Sequence, residues 1–241
     1  MFGLFKTKHN LIDSGLVKGM TDVHSHILPG VDDGSPDMTT SLELLRYMER
    51  LGFRKVWLTP HIMEDYRTSN ERLQQRFGEL KAAYTGSLEL GLASEYMMDA
   101  AFTDRLKGKV LPIGDKYLLV ETSYMYPPSG LHDILMEVWN AGFHPVIAHP
   151  ERYLYMDEAD YRVLKEKGYH FQLNLMSLSG YYGKRPKQVS EKLLQQGMYD
   201  LVGSDLHHLE RYQPMLDALK LTHKQLDWLG VLLENNSQLG K

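Results

Sequence analysis

Cysteine is absent from all 241 residues. Its absence excludes disulfides, thiolate zinc sites, iron–sulfur clusters and every cysteine nucleophile. No apolar run approaches the ~18–20 residues that a membrane span needs. The opening MFGLFKTKHN is apolar only as far as Lys6 and Lys8, whereas a signal peptide places its charges first and a longer apolar stretch after them. A cytoplasmic protein without a membrane span is therefore expected. There is no basic excess either: 27 Lys and Arg stand against 31 Asp and Glu, a net charge of −4, which argues against nucleic acid as a partner. Linkers rich in Pro, Gly or Ser, low-complexity segments and short repeats are also missing. What remains is ordinary for a globular protein, with 43% hydrophobic and 24% charged residues. The length suits one large domain or two small ones.

Short apolar runs alternate with helical patterns. Strands are expected at Thr21–His24, Lys55–Thr59, Leu88–Ser94, Tyr117–Glu121, Pro145–Ala148, His170–Asn174 and Leu201–Ser204. Runs of this kind fit parallel strands buried on both faces. Helices are expected between them. Asp37 is positioned to cap Ser41–Leu51, which Gly52 ends. Others cover Ser69–Tyr84, Leu131–Ala141, Glu158–Lys167 and Pro186–Gln196, and two more lie near Met215 and across Lys224–Asn235. Such alternation implies an α/β fold with a parallel sheet and right-handed crossovers. An open sheet and a closed barrel both fit it.

The polar residues favour the barrel. Five of the 11 histidines sit beside strand ends. His24 and His26 are two apart, so extended backbone points both to one side. His61 and His149 each follow an apolar strand, and Asp205-Leu206-His207 repeats the two-residue spacing. Glu95 follows one strand, Glu121 ends another, and Asp32-Asp33 follow the first histidine pair. Ligands of parallel β/α folds gather at the carboxyl ends of strands, and a barrel brings all those ends onto one rim. So many donors exceed what one ion takes, whereas two or three divalent ions would use them. Mixed imidazole and carboxylate donors point to Mn, Fe or Zn rather than Ca or Mg. Such ions would leave excess positive charge, which a hydroxide and a phosphate dianion would offset.

DVHSHILPGVDDG, TPH, ASEY, LVETS, AHPERY and SDLHH together resemble the motifs of the PHP (polymerase and histidinol phosphatase) superfamily. They are most similar to its bacterial manganese-dependent protein-tyrosine phosphatases, the CpsB/CapC/YwqE group that regulates capsule and exopolysaccharide synthesis. The resemblance implies a distorted (β/α)7 TIM-like barrel with its active site at the C-terminal ends of the strands. It implies a single domain over residues 21–241 with an N-terminal extension over 1–20. Carried over by position, it makes His24, His26, Asp33, His61, Glu95, Glu121, His149, Asp205 and His207 the metal ligands, with Glu95 bridging two ions. It makes Arg152 a phosphoryl-binding arginine and Arg211 the second. The implied nucleophile is a metal-bridging hydroxide. The implied ions are two or three divalent metals, manganese first. The implied partner is a phosphotyrosine protein, a bacterial tyrosine autokinase, and a homo-oligomer is compatible with the resemblance.

Two other functions use the same residues. One is a small-molecule phosphomonoesterase such as a histidinol-phosphate phosphatase. The other is a non-enzymatic module that keeps the fold, against which the full donor set argues. Asp22 and Asp32 are expected to support ligands rather than bind metal. His208 is expected to face solvent. His9, His132, His144, His170 and His223 are expected in surface or packing roles. Tyr124, Tyr126 and Tyr153 follow strand ends and either wall a phosphotyrosine pocket or pack the rim. Gly180–Arg185 reads as a loop, potentially on the substrate side. Met1–Phe5 either docks on the barrel or a partner subunit or is disordered.

Overall fold

The computed structural model describes residues 7–239, so the expectation for Met1–Phe5 lies outside the described residues. Along the chain run β1 (Lys8–Asn10), β2 (Thr21–Asp22), α1 (Met38–Leu51), β3 (Lys55–Leu58), β4 (His61–Ile62), α2 (Asn70–Ala83), β5 (Glu89–Leu92), β6 (Glu95–Met97), α3 (Phe102–Leu106), β7 (Tyr117–Glu121), α4 (Leu131–Asn140), β8 (His144–Ala148), α5 (Glu158–Glu166), β9 (His170–Asn174), α6 (Lys184–Gln195), β10 (Leu201–Gly203), α7 (Leu209–Asp217), β11 (Lys220–Thr222) and α8 (His223–Asn236). Single 3-10 turns, Pro150–Arg152 and Leu175–Ser179, follow β8 and β9.

The helices form for local reasons. Asp37 accepts from the Thr40 backbone N–H at 2.8 Å to start α1. Gly52, at φ 91°, ends it in the left-handed region. Leu44, Leu45, Met48 and Leu51 on its inner face are buried, and each contributes roughly 1.5–3 kcal/mol of burial. A capping box of Asp157 and Asp160 starts α5.

The fold is mixed α/β around a curled parallel sheet. One part has the order β10-β9-β8-β7-β6-β4 and the other β2-β3-β5. β4 resumes the path of β3, and β6 that of β5. The breaks fall at Thr59-Pro60 and Ala93-Ser94, directly before His61 and Glu95. Pro60 has no N–H to give. Its carbonyl instead accepts from Glu95 N at 3.0 Å, one step after Ala93 N donates to Leu58 O. The strands expected at Lys55–Thr59 and Leu88–Ser94 thus appear as β3 and β5, and each is continued past the bend by an unexpected short strand, β4 or β6.

The first and last parallel strands meet at a seam held mainly by side chains. Ser25 forms an isolated parallel bridge with Leu206. Buried Asn236 donates to Thr21 O and Val202 O and accepts from Val202 N. Asp22 accepts from both the N–H and the hydroxyl of Ser204, at 2.9 and 2.6 Å. Gly203 permits the close approach here: a Cβ on it would meet that of His24 at 2.5 Å.

Alternation along the strands separates two cores. Leu118, Val120, Ile147, Phe171 and Leu173 pack outward under the helices. Val23, Trp57, Leu119, Val146 and Leu201 fill the inner face. The inner face continues to Glu121 on β7 and to Gln172 and Asn174 on β9, which is how the sheet delivers polar groups to its carboxyl end. The antiparallel pair β1–β11 lies outside this sheet. Leu11 and Val17 join the outer core, which ties residues 8–17 to the body.

Candidate metal centre

The two-residue spacing does what extended backbone dictates: the Nε2 atoms of His24 and His26 converge to 3.1 Å. Glu95, fully buried, lies at their centre. Its Oε2 is 3.2 Å from His24, 3.3 Å from His26 and 3.1 Å from His61 Nδ1. Its Oε1 is 3.1 Å from His149 Nε2. Asp205 Oδ1 approaches His24 and His26 at 3.4 and 3.3 Å. Half-exposed Asp33 reaches His61 at 3.5 Å and His207 at 3.6 Å. All nine residues expected as ligands are thus brought together. They form four overlapping groups whose donor atoms lie within 4.8 Å of one another: His26-Asp33-His61-His207, His24-Glu95-His149, His24-His26-Asp205 and His61-Glu95-Glu121.

The donors satisfy one another only in part. His61 Nδ1 and Glu121 Oε1 stand 2.9 Å apart, yet both are buried and neither has a hydrogen-bond partner among the described residues. Closely packed imidazole and carboxylate groups with buried atoms left unpaired fit divalent metal. The charges agree. Burial opposes ionisation of Glu95, but His24, His61 and His149 outweigh it and hold the carboxyl well below its usual range. Burial likewise opposes Asp205, and His24, His26, His207 and Arg152 outweigh it. In return, burial and His26 disfavour a charged His61, yet Glu95 and Glu121 prevail and raise it to about 10. Without metal, protons hold this cage together, so metal binding must release them.

Surrounding groups fix the rings. Asp32 accepts from His26 Nδ1 at 2.8 Å and from the His61 backbone at 3.0 Å, the supporting role expected of it. Gln172 Oε1 lies 2.9 Å from His24 Nδ1 and assigns the proton there, leaving Nε2 free as a donor. His149 and Asp205 both have positive φ, 34° and 52°. Such backbone costs on the order of 1–3 kcal/mol each, and here it turns both side chains into the cluster.

Above the cluster opens a cavity of about 390 Å³. Arg152, Tyr124, Tyr181, Tyr182 and Tyr212 wall it, and Asp33, His61, His149, Asp205 and His207 reach it from below. Arg152 donates to Asp205 Oδ2 at 2.9 Å.

A family model for capsular polysaccharide synthesis, CpsB/CapC, matches residues 20–236. The chain belongs to the CpsB/CapC family. It is 30% identical to tyrosine-protein phosphatase YwqE of Bacillus subtilis (strain 168), over 91% of either chain. It is 31% identical to tyrosine-protein phosphatase CpsB of Streptococcus pneumoniae, over 82% of this chain and 86% of that one. A chain from the crystal structures of YwqE and CpsB, described there as metal-dependent tyrosine phosphatases, matches it with TM-score 0.70. The identity is 28%, over 92% of this chain and 88% of that one.

Arg211 departs from expectation in this CpsB/CapC chain. It is exposed on α7 and does not line the cavity, whereas Tyr212 beside it turns inward. One step along a helix rotates a side chain by about 100°, and it is the tyrosine that faces in. His208 is exposed, as expected, at the cavity edge. Tyr124 walls the cavity, Tyr126 is exposed, and Tyr153 is buried beneath the rim, with its hydroxyl donating to Ala148 O. The expected loop at Gly180–Arg185 supplies Tyr181 and Tyr182 but gives its Lys184 and Arg185 to α6. Sequence reasoning missed Gln172 and Asn174. Their signal was present: two amides continuing the period of His170 and alternating with Phe171 and Leu173.

Proposed function

We propose that this chain is a metal-dependent protein-tyrosine phosphatase acting in the cytoplasm on a tyrosine autokinase that controls capsular or exopolysaccharide synthesis. The observation that carries the reading is the meeting of the nine-residue donor cluster with one cavity that has tyrosine walls and a single arginine. The relatives' activity supports it. We further propose that the curled sheet is a distorted (β/α)7 barrel of PHP type spanning 21–241, with residues 1–20 as its extension.

In this reading His24, His26, Asp33, His61, Glu95, Glu121, His149, Asp205 and His207 hold two or three divalent ions, manganese first. When bound, such ions supply Lewis acidity and a nucleophilic hydroxide near neutral pH. Arg152 binds the phosphoryl oxygens, for which its planar fork is suited, and offsets their charge as it builds. The cavity above the cluster admits the aryl group. A tyrosyl leaving group has pKa ~10 and needs little protonation, so none of the chain's acids is required to donate a proton to it.

The test is to strip the protein with chelator, restore Mn, and compare phosphate release from a tyrosine-phosphorylated peptide and from histidinol phosphate. Metal-dependent activity that prefers the peptide is expected. A preference for histidinol phosphate would overturn the substrate and the pathway while leaving the cluster intact.

A further inference from the structure

Arg152 hangs from the single 3-10 turn after β8. Two aromatic rings from elsewhere enclose its guanidinium. The Tyr182 ring centroid lies 4.0 Å from Cζ and that of Tyr124 lies 4.4 Å away. The rings come from separate segments, one after the Leu175–Ser179 turn and one after β7. Each is fixed in turn. The Tyr182 hydroxyl accepts from Asn174 Nδ2 at 3.0 Å and donates to Asp205 Oδ2 at 3.2 Å. The Tyr124 carbonyl accepts from Leu154 N at 2.7 Å, which ties that loop to the turn that bears Arg152.

We propose that Tyr124 and Tyr182 clamp Arg152 and set the plane of its guanidinium for the phosphoryl group, acting as positioning residues. The proposal rests on reading Arg152 as the phosphoryl-binding group. A carboxylate next to an arginine favours a two-pronged pair, and such a pair with Asp205 would turn the donors away from the cavity. Instead only Nη1 reaches Asp205; the other side-chain N–H groups have no acceptor among the described residues and remain available to the cavity. Faces stacked on aromatic rings leave the guanidinium edge as its free donor surface. The clamp also removes rotamer freedom before substrate arrives, so less is lost on binding.

The experiment uses the Mn-loaded protein and reads kcat/KM on a phosphotyrosyl peptide and the inhibition constant of inorganic phosphate, with Mn content and Tm as controls. Tyr124→Leu and Tyr182→Leu are each expected to lower kcat/KM and weaken phosphate inhibition by about tenfold at unchanged Mn content. Tyr124→Phe keeps the ring and is expected within about twofold of the native protein. Tyr124 is partly exposed, so its variants test the idea even if Tyr182→Leu folds poorly. In an Arg152→Ala background, Tyr124→Leu is expected to add less than about twofold, because the ring acts through the arginine. A full loss in that background would overturn the clamp and place the rings directly on the substrate. Tyr124→Phe as damaging as Tyr124→Leu would overturn it in favour of the phenol. Phosphate inhibition unchanged by Arg152→Ala would instead sink the reading of Arg152 itself, a failure distinct from that of the clamp.

Discussion

Histidines occupy both ends of the inner face of the sheet, in opposite company. At the carboxyl end His24, His26, His61, His149 and His207 are interleaved with Glu95, Glu121, Asp33 and Asp205. At the amino end His144 and His170 pack among rings. The His144 ring is 5.3 Å from Tyr117 and 5.1 Å from Trp139, and that of His170 is 5.5 Å from Tyr117. One carboxylate lies there, Asp200, whose Oδ1 is 3.7 Å from His170 Nδ1 and whose Oδ2 is held by Lys165 at 2.5 Å and by the Phe171 N–H at 2.7 Å. Between the ends lies the apolar layer of Leu119, Val146 and Leu201. The same side chain is a donor at one end and packing at the other. What differs is the presence of buried carboxylates not already neutralised by lysine or backbone.

Removing the central carboxylate breaks the contrast most severely. Glu95→Gln is expected to empty the cluster of Mn and cut kcat/KM by at least ~10³, as read by metal analysis and phosphate release. His170→Ala at the other end should leave both within about twofold. Equal losses at the two ends would mean that the donor role does not reside in the rim.

Gln172→Ala sharpens the contrast by removing a support and no ligand. Metal affinity is expected to weaken by about 10–100-fold, measured by competition with a chromogenic chelator, while saturating Mn restores most activity. Loss of activity that Mn cannot restore would mean that Gln172 does more than hold the His24 ring.

The two ends should also respond to pH with opposite sign in metal-free protein. His61, raised to about 10 in the folded state, adds stability that is complete below its ordinary value of ~6.5 and is lost as pH rises towards 10. His144 is lowered by burial, by His170 and by Lys116. Its folded form binds the proton less well, so its effect is a loss of stability as pH falls through ~6.5. Urea unfolding of the metal-free protein from pH 5.5 to 9.5 should show a maximum between these limbs. Removing His61 should flatten the alkaline limb and His144→Phe the acid one. Added Mn should abolish the alkaline limb, since ligands bind metal unprotonated.

The smallest effect belongs to Arg211. Arg211→Ala is expected to change kcat/KM by less than about twofold, as an exposed position off the cavity should. A drop as large as that of Arg152→Ala would mean that α7 turns when substrate binds.

Much of this arrangement was readable in the chain. Buried parallel strands must be apolar, so a polar residue directly after an apolar run marks a strand end, and His61, Glu121, His149 and Asp205 were all placed in this way. The bends at Thr59-Pro60 and Ala93-Ser94 were not, because β4 and β6 are too short to carry a period. Asn236 resembled any polar residue at a helix end, and its three bonds to β2 and β10 exist only in three dimensions. Arg211 does not line the cavity while Tyr212 does: a motif gives distance along the chain, but on a helix adjacent positions face different ways.

The seam between the first and last parallel strands carries a consequence in time. Asp22 and Ser204 are 182 positions apart, and the donors beside them, His24 and His26 on one side and Asp205 and His207 on the other, are separated by nearly as much. At ~5–20 residues per second, synthesis of the intervening chain takes roughly 10–40 s. Through that interval the nascent protein carries its first two imidazoles with no Asp205 opposite them and no Asn236 to draw the strands together. On the proposed reading the donor cage closes only after residue 207 has emerged, so a metal-loaded molecule would be one whose first and last parallel strands have already met.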